Sequence, residues 1–192
     1  MLNETRIPGS RVFITEDDNR TPSREWFRYF EYLYSVAAAA VTNAAFYDIT
    51  STAWTANTPT IVPVGLTYAT HGFTLASSRV TVVEAGRYVI NASLQLTNND
   101  ASNDDDMTIW LRVNGADAAA TARRVTIPAQ HAGVAGSVLM NVNFTYAFAA
   151  NDYFELYGLS KLGYAQIATY AASTSPAYPA APGTVLTVAQ IL

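Results

Sequence analysis

Residues 86–96 read GRYVINASLQL. Tyr88, Ile90, Ala92, Leu94 and Leu96 alternate with Val89, Asn91, Ser93 and Gln95. Successive side chains on a strand point to opposite faces, so this spacing gathers five apolar groups on one side. A strand that is apolar on one side only is half-buried in an antiparallel sheet. Gly86 supplies the backbone latitude for the chain to turn in after Val83-Glu84-Ala85.

The same period of two recurs downstream. Met107, Ile109, Leu111 and Val113 face one way, with Thr108, Trp110 and Arg112 opposite, and Asn114-Gly115 follows as a turn signal. Val138, Met140, Val142, Phe144, Tyr146 and Phe148 form a longer apolar row against Asn141, Asn143 and Thr145. After a turn at Asn151-Asp152, Phe154 and Leu156 point inward and Tyr153, Glu155 and Tyr157 outward. Shorter strands are expected over residues 45–49, 60–64, 72–75, 79–83, 123–128 and 164–172. Pro59 and Pro63 mark an edge, and residues 98–106 and 173–183 read as loops. The total is about ten short strands, which predicts an all-β antiparallel sandwich. The closing segment, 184–192, breaks the alternation. Val185 and Ile191 fall on one side and Leu186, Val188 and Leu192 on the other. A strand apolar on both faces is buried on both, and in a two-layer sandwich a neighbouring subunit is the simplest third layer.

The first 44 residues have a different character. Residues 1–21 lack periodicity and carry Ile7, Val12, Phe13 and Ile14 on an extended arm. Thr21-Pro22-Ser23-Arg24-Glu25 is a helix start, with a capping residue, a proline suited to the first helical position and an early acid. A helix is predicted to about Val41. Trp26, Phe30, Leu33, Ala37 and Ala40 recur at 4-3-4-3 spacing, and Phe27, Tyr34 and Val41 form a second stripe at sevens. One helix cannot hide two apolar stripes against one neighbour. It either packs across its own domain, bundles with copies of itself, or docks on a larger assembly. The chain is thus divided into an arm and helix, 1–44, and a sandwich domain, 45–192.

Composition narrows the function. The net charge is −4 and no basic patch is present, which excludes nucleic acid as a partner. Charged residues make up 14%, where roughly a quarter is usual. Such a chain either hides surface between subunits or is simply rich in Thr and Ala. There is no cysteine, hence no disulfide or thiolate metal site. Neither a signal peptide nor a membrane span is expected. His71 and His131 are far apart and no G-x-S-x-G elbow occurs, so no catalytic residue is assigned. Asp104, Asp105 and Asp106 offer oxygen ligands without the spacing of a calcium loop, and are read as a solvated loop. No cofactor and no metal are expected.

Two resemblances are carried by motif order. The run Val83-x-x-Gly86-x-Tyr88-x-Ile90, then Ile109-x-Leu111-x-Val113-Asn114-Gly115, then 148–156 (FAANDYFEL), then 184–192, resembles the jelly roll of the complement globular head and tumour-necrosis-factor superfamily. Asn151 stands where that family has glycine, and asparagine tolerates the same positive φ. The resemblance implies a homotrimer with Tyr153, Tyr157, Val185 and Ile191 at its interface, and the two-faced closing strand adds Leu186 and Val188 to it. The segment Arg6-Ile7-Pro8 followed by 21–30 (TPSREWFRYF) is similar to the opening of small virion proteins of tailed bacteriophages. Together they imply a non-enzymatic virion structural protein assembled in the host cytoplasm, a trimeric capsid decoration or short head or tail fibre. Ile7, Phe13, Trp26, Phe27, Phe30 and Leu33 would attach it to other capsid or tail proteins. The alternative is a receptor-binding head that takes a host surface glycan through Tyr170 and Tyr178.

Overall fold

The computed structural model describes residues 23–39 and 42–191. The chain divides into two units, Met1–Val41 and Thr42–Leu192. In the first, α1 spans Arg24–Ala39. Its first turn closes where the Phe27 N–H donates to the Ser23 carbonyl at 2.9 Å. Glu25 lies in that turn, where the helix dipole favours a negative charge. The expected Thr21 cap, Pro22, Val41 and the arm with Ile7 and Phe13 lie outside the described residues. Trp26 packs on Phe30 at 5.6 Å between ring centres and meets Tyr29 edge-on at 5.7 Å.

The second unit is all strand and loop. In chain order its strands are β1 Asn43–Asp48, β2 Thr52–Ala53, β3 Thr60–Ile61, β4 Leu66–His71, β5 Phe73–Ala76 and β6 Arg79–Val82. Then come β7 Gly86–Asn98, β8 Asp105–Val113, β9 Ala116–Asp117, β10 Arg123–Ile127 and β11 Gly136–Phe148. The last are β12 Tyr153–Ser160, β13 Ala165–Ile167, β14 Ser173–Thr174, β15 Ala177–Tyr178 and β16 Thr184–Ile191. One sheet runs β4-β1-β16-β7-β11, with β13 and β2 continuing beside the C-terminal end of β7. The other runs β10-β8-β12-β6-β5, with β3 beside β12 and β9 beside β8. Every pairing is antiparallel. The first and last strands of the unit are neighbours, Asn43 opposite Ala189 and Asp48 opposite Thr184. Among the described residues the protein is one helix followed by a jelly-roll β-sandwich.

β7 holds the first sheet together. It pairs β11 along its whole length on one side and β16 and β13 on the other. Its inward row, Tyr88 to Leu96, is buried as the alternation requires. Each fully buried side chain of this size contributes about 1.5–3 kcal/mol. Tyr88 is wholly buried and satisfies its hydroxyl by donating to the Glu84 carbonyl at 2.8 Å. Its ring links the layers: Phe73 lies 5.4 Å away, Phe148 5.9 Å away, and Phe154 packs on Phe148 at 5.5 Å.

Three local expectations change. β4 was not expected; its sequence, LTYATH, has no apolar alternation, and all six residues are exposed at a sheet edge. The strand expected over 164–172 is only Ala165–Ile167, because its pairing to β7 ends at Leu96. The loop over 173–183 contains a two-stranded hairpin of its own.

Candidate interaction surfaces

The outward side of the first sheet is almost free of charge. Arg87 is the one charged side chain at an outward position of β1, β16, β7 and β11 among the described residues. Register aligns small polar groups into rows across it. Asn143, Asn91 and Thr187 stand side by side, and Asn141, Ser93 and Val185 form the next row. Asn143 donates its amide hydrogen to Asn91. These two rows border a depression of about 250 Å³. An apolar hollow of about 440 Å³ adjoins it at Val185, walled by Tyr47, Ile49, Tyr68 and Pro182. Tyr68 sits at a register shift between β1 and β4, where an extra residue in an edge strand re-aims its side chain. Covering a neutral polar group costs far less hydration free energy than covering an unpaired charge, and the cores of protein interfaces are depleted in charged residues.

The six expected interface residues do not come together. Val185 and Ile191 lie on this face, exposed by 36% and 37%. Leu186 and Val188, on the other side of the same strand, are 2% exposed. They are corrected to core residues of the chain's own sandwich, so no neighbouring subunit can reach them. The closing strand is apolar on both faces because one face meets the second sheet and the other is open. Tyr153 and Tyr157 point outward from the second sheet, the opposite side of the sandwich. They are already partnered within the chain. The Arg79 guanidinium lies over the Tyr153 ring at 3.9 Å and donates to Glu155 Oε1 at 3.0 and 3.1 Å. Arg112 lies over Tyr157 at 4.4 Å and pairs with Asp117 at 3.1 Å. Trp110 Nε1 also donates to Asp117, at 2.7 Å. Glu155 points outward, as its place in the strand requires, yet Arg79 leaves it 5% exposed.

On α1, Phe27, Phe30 and Leu33 are exposed by 43% to 52%, Tyr34 more so, and Trp26 is half-buried. Tyr170 and Tyr178 are exposed in the 168–183 region. Tyr170 borders a separate hollow of about 210 Å³ with Gln95, Ser137 and Leu139. Tyr68, Ile49 and Leu139 are prominent surface groups that the sequence reading passed over. Lone apolar residues in weakly patterned segments carry no signal until the sheet places them side by side.

Of the acidic run only Asp104 lies in an exposed loop. Asp105 begins β8 and is 1% exposed. Its carboxylate accepts from the N–H groups of Leu162, Tyr164 and Ala165, each at 2.9 Å, and from the Ser160 hydroxyl. Burial pushes the carboxyl up, but these four bonds together hold it below the ordinary range. Asp106 accepts from Thr126 at 2.7 Å and pairs with Arg124 and Lys161; the Thr126 bond first, then Arg124, lowers its carboxyl. Asp104 accepts from the Ala129 N–H at 2.8 Å. Three consecutive carboxylates thus tie down three different segments. No cluster of three or more His, Asp and Glu side chains able to hold a metal occurs among the described residues, and no helix among them is long and apolar enough to cross a membrane.

No protein-family model matches the sequence, and no curated protein matches it. Among solved structures the chain is similar to the Eiger TNF of S. frugiperda, at 10% sequence identity and a TM-score of 0.50. The match covers 79% of this chain and 92% of that one. At that identity the likeness is one of fold.

Proposed function

We propose that this chain is a non-enzymatic structural subunit of a tailed-bacteriophage virion, assembled in the host cytoplasm. In this reading it is a homotrimeric capsid decoration or a short head or tail fibre. The arm and α1 attach it to other virion proteins, and the jelly roll projects. The observation that carries the reading is the uncharged outward face of the first sheet, with Val185 and Ile191 open on it. The tumour-necrosis-factor-like fold supports it, and so does the similarity of residues 6–30 to the opening of phage virion proteins. Attachment is assigned to Ile7 and Phe13 on the arm and to Trp26, Phe27, Phe30 and Leu33 on the helix, with Trp26 as the anchor, since a buried Trp tends to dominate interface energy.

The test mixes the full chain, or the chain lacking residues 1–41, with particles that lack this protein. The reading expects the full chain to bind and the shortened one to stay folded and trimeric in solution without binding. Normal binding by the shortened chain would place attachment in the jelly roll.

A second reading, a glycan-binding head of a short tail fibre, is favoured by one observation. Tyr170 stands exposed over the hollow that it shares with Gln95 and Ser137. An aromatic ring beside amide and hydroxyl groups is the chemistry that holds a sugar. Loss of cell-surface adsorption in Tyr170→Ala, with particle assembly unchanged, is its signature.

A further inference from the structure

Asn114 and Gly115 form the two-residue loop between β8 and β9, with Val113 opposite Ala116. Their φ values of 50° and 80° suit the type I′ turn that joins two strands this tightly. They are also the one Asn-Gly pair in the sequence. Such a pair is chemically labile, because glycine has no side chain to shield its nitrogen from the asparagine carbonyl carbon. In the reaction the Gly115 nitrogen bonds to Asn114 Cγ and gives its proton to hydroxide. The Cγ–Nδ2 bond breaks, and ammonia leaves with a proton taken from water. A second water opens the succinimide ring at either carbonyl and leaves aspartate or isoaspartate at position 114.

The groups that this reaction must move are tied down. The Asn114 N–H donates to the Tyr153 carbonyl at 3.0 Å. The Asn114 side-chain amide donates to Asp152 Oδ1 at 2.7 Å, and its side-chain oxygen accepts from the Tyr153 N–H at 3.0 Å. Asp152 is itself fixed, since its other oxygen accepts from the Ala149 N–H at 2.7 Å. Across the turn, Arg112 donates to the Gly115 carbonyl. Cyclisation needs Cγ and the Gly115 nitrogen in contact and aligned. Reaching that arrangement from a type I′ turn takes rotation of the Asn114 side chain, which breaks both of its hydrogen bonds.

We propose that Asn114-Gly115 is a latent self-modification site, which the Asp152 clasp holds unreacted in the folded chain. The same clasp makes the reaction one-way. Deamidation replaces the amide donor with a carboxylate that faces Asp152 where the hydrogen bond had been. Two carboxylates in that position repel each other, so the converted turn cannot close again.

The test holds the full chain in mildly alkaline buffer and follows conversion at position 114 by peptide mass spectrometry. A synthetic peptide of residues 110–119 supplies the unguarded rate. Three variants are run beside it: Asp152→Ala, Asp152→Asn and Gly136→Ala, the last destabilised far along the chain from the turn. Opening the clasp breaks one charge-assisted and one neutral hydrogen bond, so the native chain should react at least about tenfold more slowly than the peptide. Asp152→Ala should recover most of that factor while circular dichroism shows it folded. Asp152→Asn, which cannot accept from both Asn114 and Ala149 without losing a bond, should fall between, and Gly136→Ala should stay near the native rate. A native chain as fast as the peptide overturns the proposal. So does acceleration in Gly136→Ala equal to that in Asp152→Ala, since global unfolding would then set the rate. Should Asp152→Ala unfold, Asp152→Asn decides, and a native rate there overturns the guard. The converted protein, separated by its added negative charge, should melt below the native one; equal melting overturns the one-way step.

Discussion

Asn114 and Asp152, thirty-eight residues apart, hold two turns of the sandwich against each other. The Asn114 side-chain amide donates to Asp152 Oδ1 at 2.7 Å, and the Asn114 side-chain oxygen accepts from the Tyr153 N–H at 3.0 Å. The second oxygen of Asp152 accepts from the Ala149 N–H at 2.7 Å. Both turns need positive φ, at Asn114 and Gly115 in one and at Asn151 in the other. The two asparagines therefore have different tasks. Asn114 reaches across, while Asn151 is tolerated because asparagine enters the left-handed region at little cost.

That difference is measurable. Asn151→Gly should leave the melting temperature unchanged or slightly higher, and Asn151→Val should lower stability by about 1–2 kcal/mol, the penalty of a left-handed β-branched residue. Asn114→Gly should destabilise even though glycine suits its φ of 50°, because the clasp is lost. Equal effects of glycine at the two sites in thermal denaturation would contradict this division.

Acid should loosen the loops tied to the aspartate run. The carboxyls of Asp105, Asp106 and Asp152 all lie below their ordinary value of 3.8 in the folded chain. A depressed carboxyl contributes stability that is fully present above its unfolded pKa and is lost as pH falls through the folded value. Stability should thus hold from neutral pH to about pH 4 and decline below it. In Asp105→Asn an amide NH₂ would face a set of N–H donors. That variant should lose about 1–3 kcal/mol at pH 7 and show a shallower acid decline, as followed by circular dichroism.

The closing strand should answer differently on its two sides. Leu186→Asp places a carboxylate in the chain's own core, at several kcal/mol, and should unfold the subunit. Val185→Asp adds a charge to an open face and should leave the fold intact while raising the fraction of monomer. Circular dichroism reads the first and light scattering the second. A folded Leu186→Asp variant, or a Val185→Asp variant with unchanged mass, would count against the assignment of the two faces.

Gly136 begins β11 where the backbone has no room for a side chain. A Cβ added there would overlap the Pro128 carbonyl oxygen, which belongs to main chain and cannot swing away. Gly136→Ala should lower stability by about 2 kcal/mol or more. The same change at Gly133 meets open space, yet its φ of +83° predicts a smaller, purely conformational cost. Urea denaturation of the two variants distinguishes crowding from backbone strain.

Much of this protein is legible in its residues. The alternation over 86–96, 107–113 and 138–148 determined which side chains enter the core, because a strand has a period of two and only one face of each long strand was apolar. The turn at Asn114-Gly115 and the positive φ at Asn151 follow from residue type for the same local reason. Tertiary structure alone decided the rest. Leu186 and Val185 are equally apolar, and nothing local says that the first meets the second sheet while the second stays open. Tyr153 and Tyr157 read as interface residues until Arg79 and Arg112, brought in from other strands, covered them. Asp105 read as a loop residue until three backbone N–H groups some sixty positions away converged on its carboxylate. Periodicity is a property of the chain and can be read along it. Burial of a polar group, and the sheet to which a strand belongs, depend on partners that only the folded topology brings within reach.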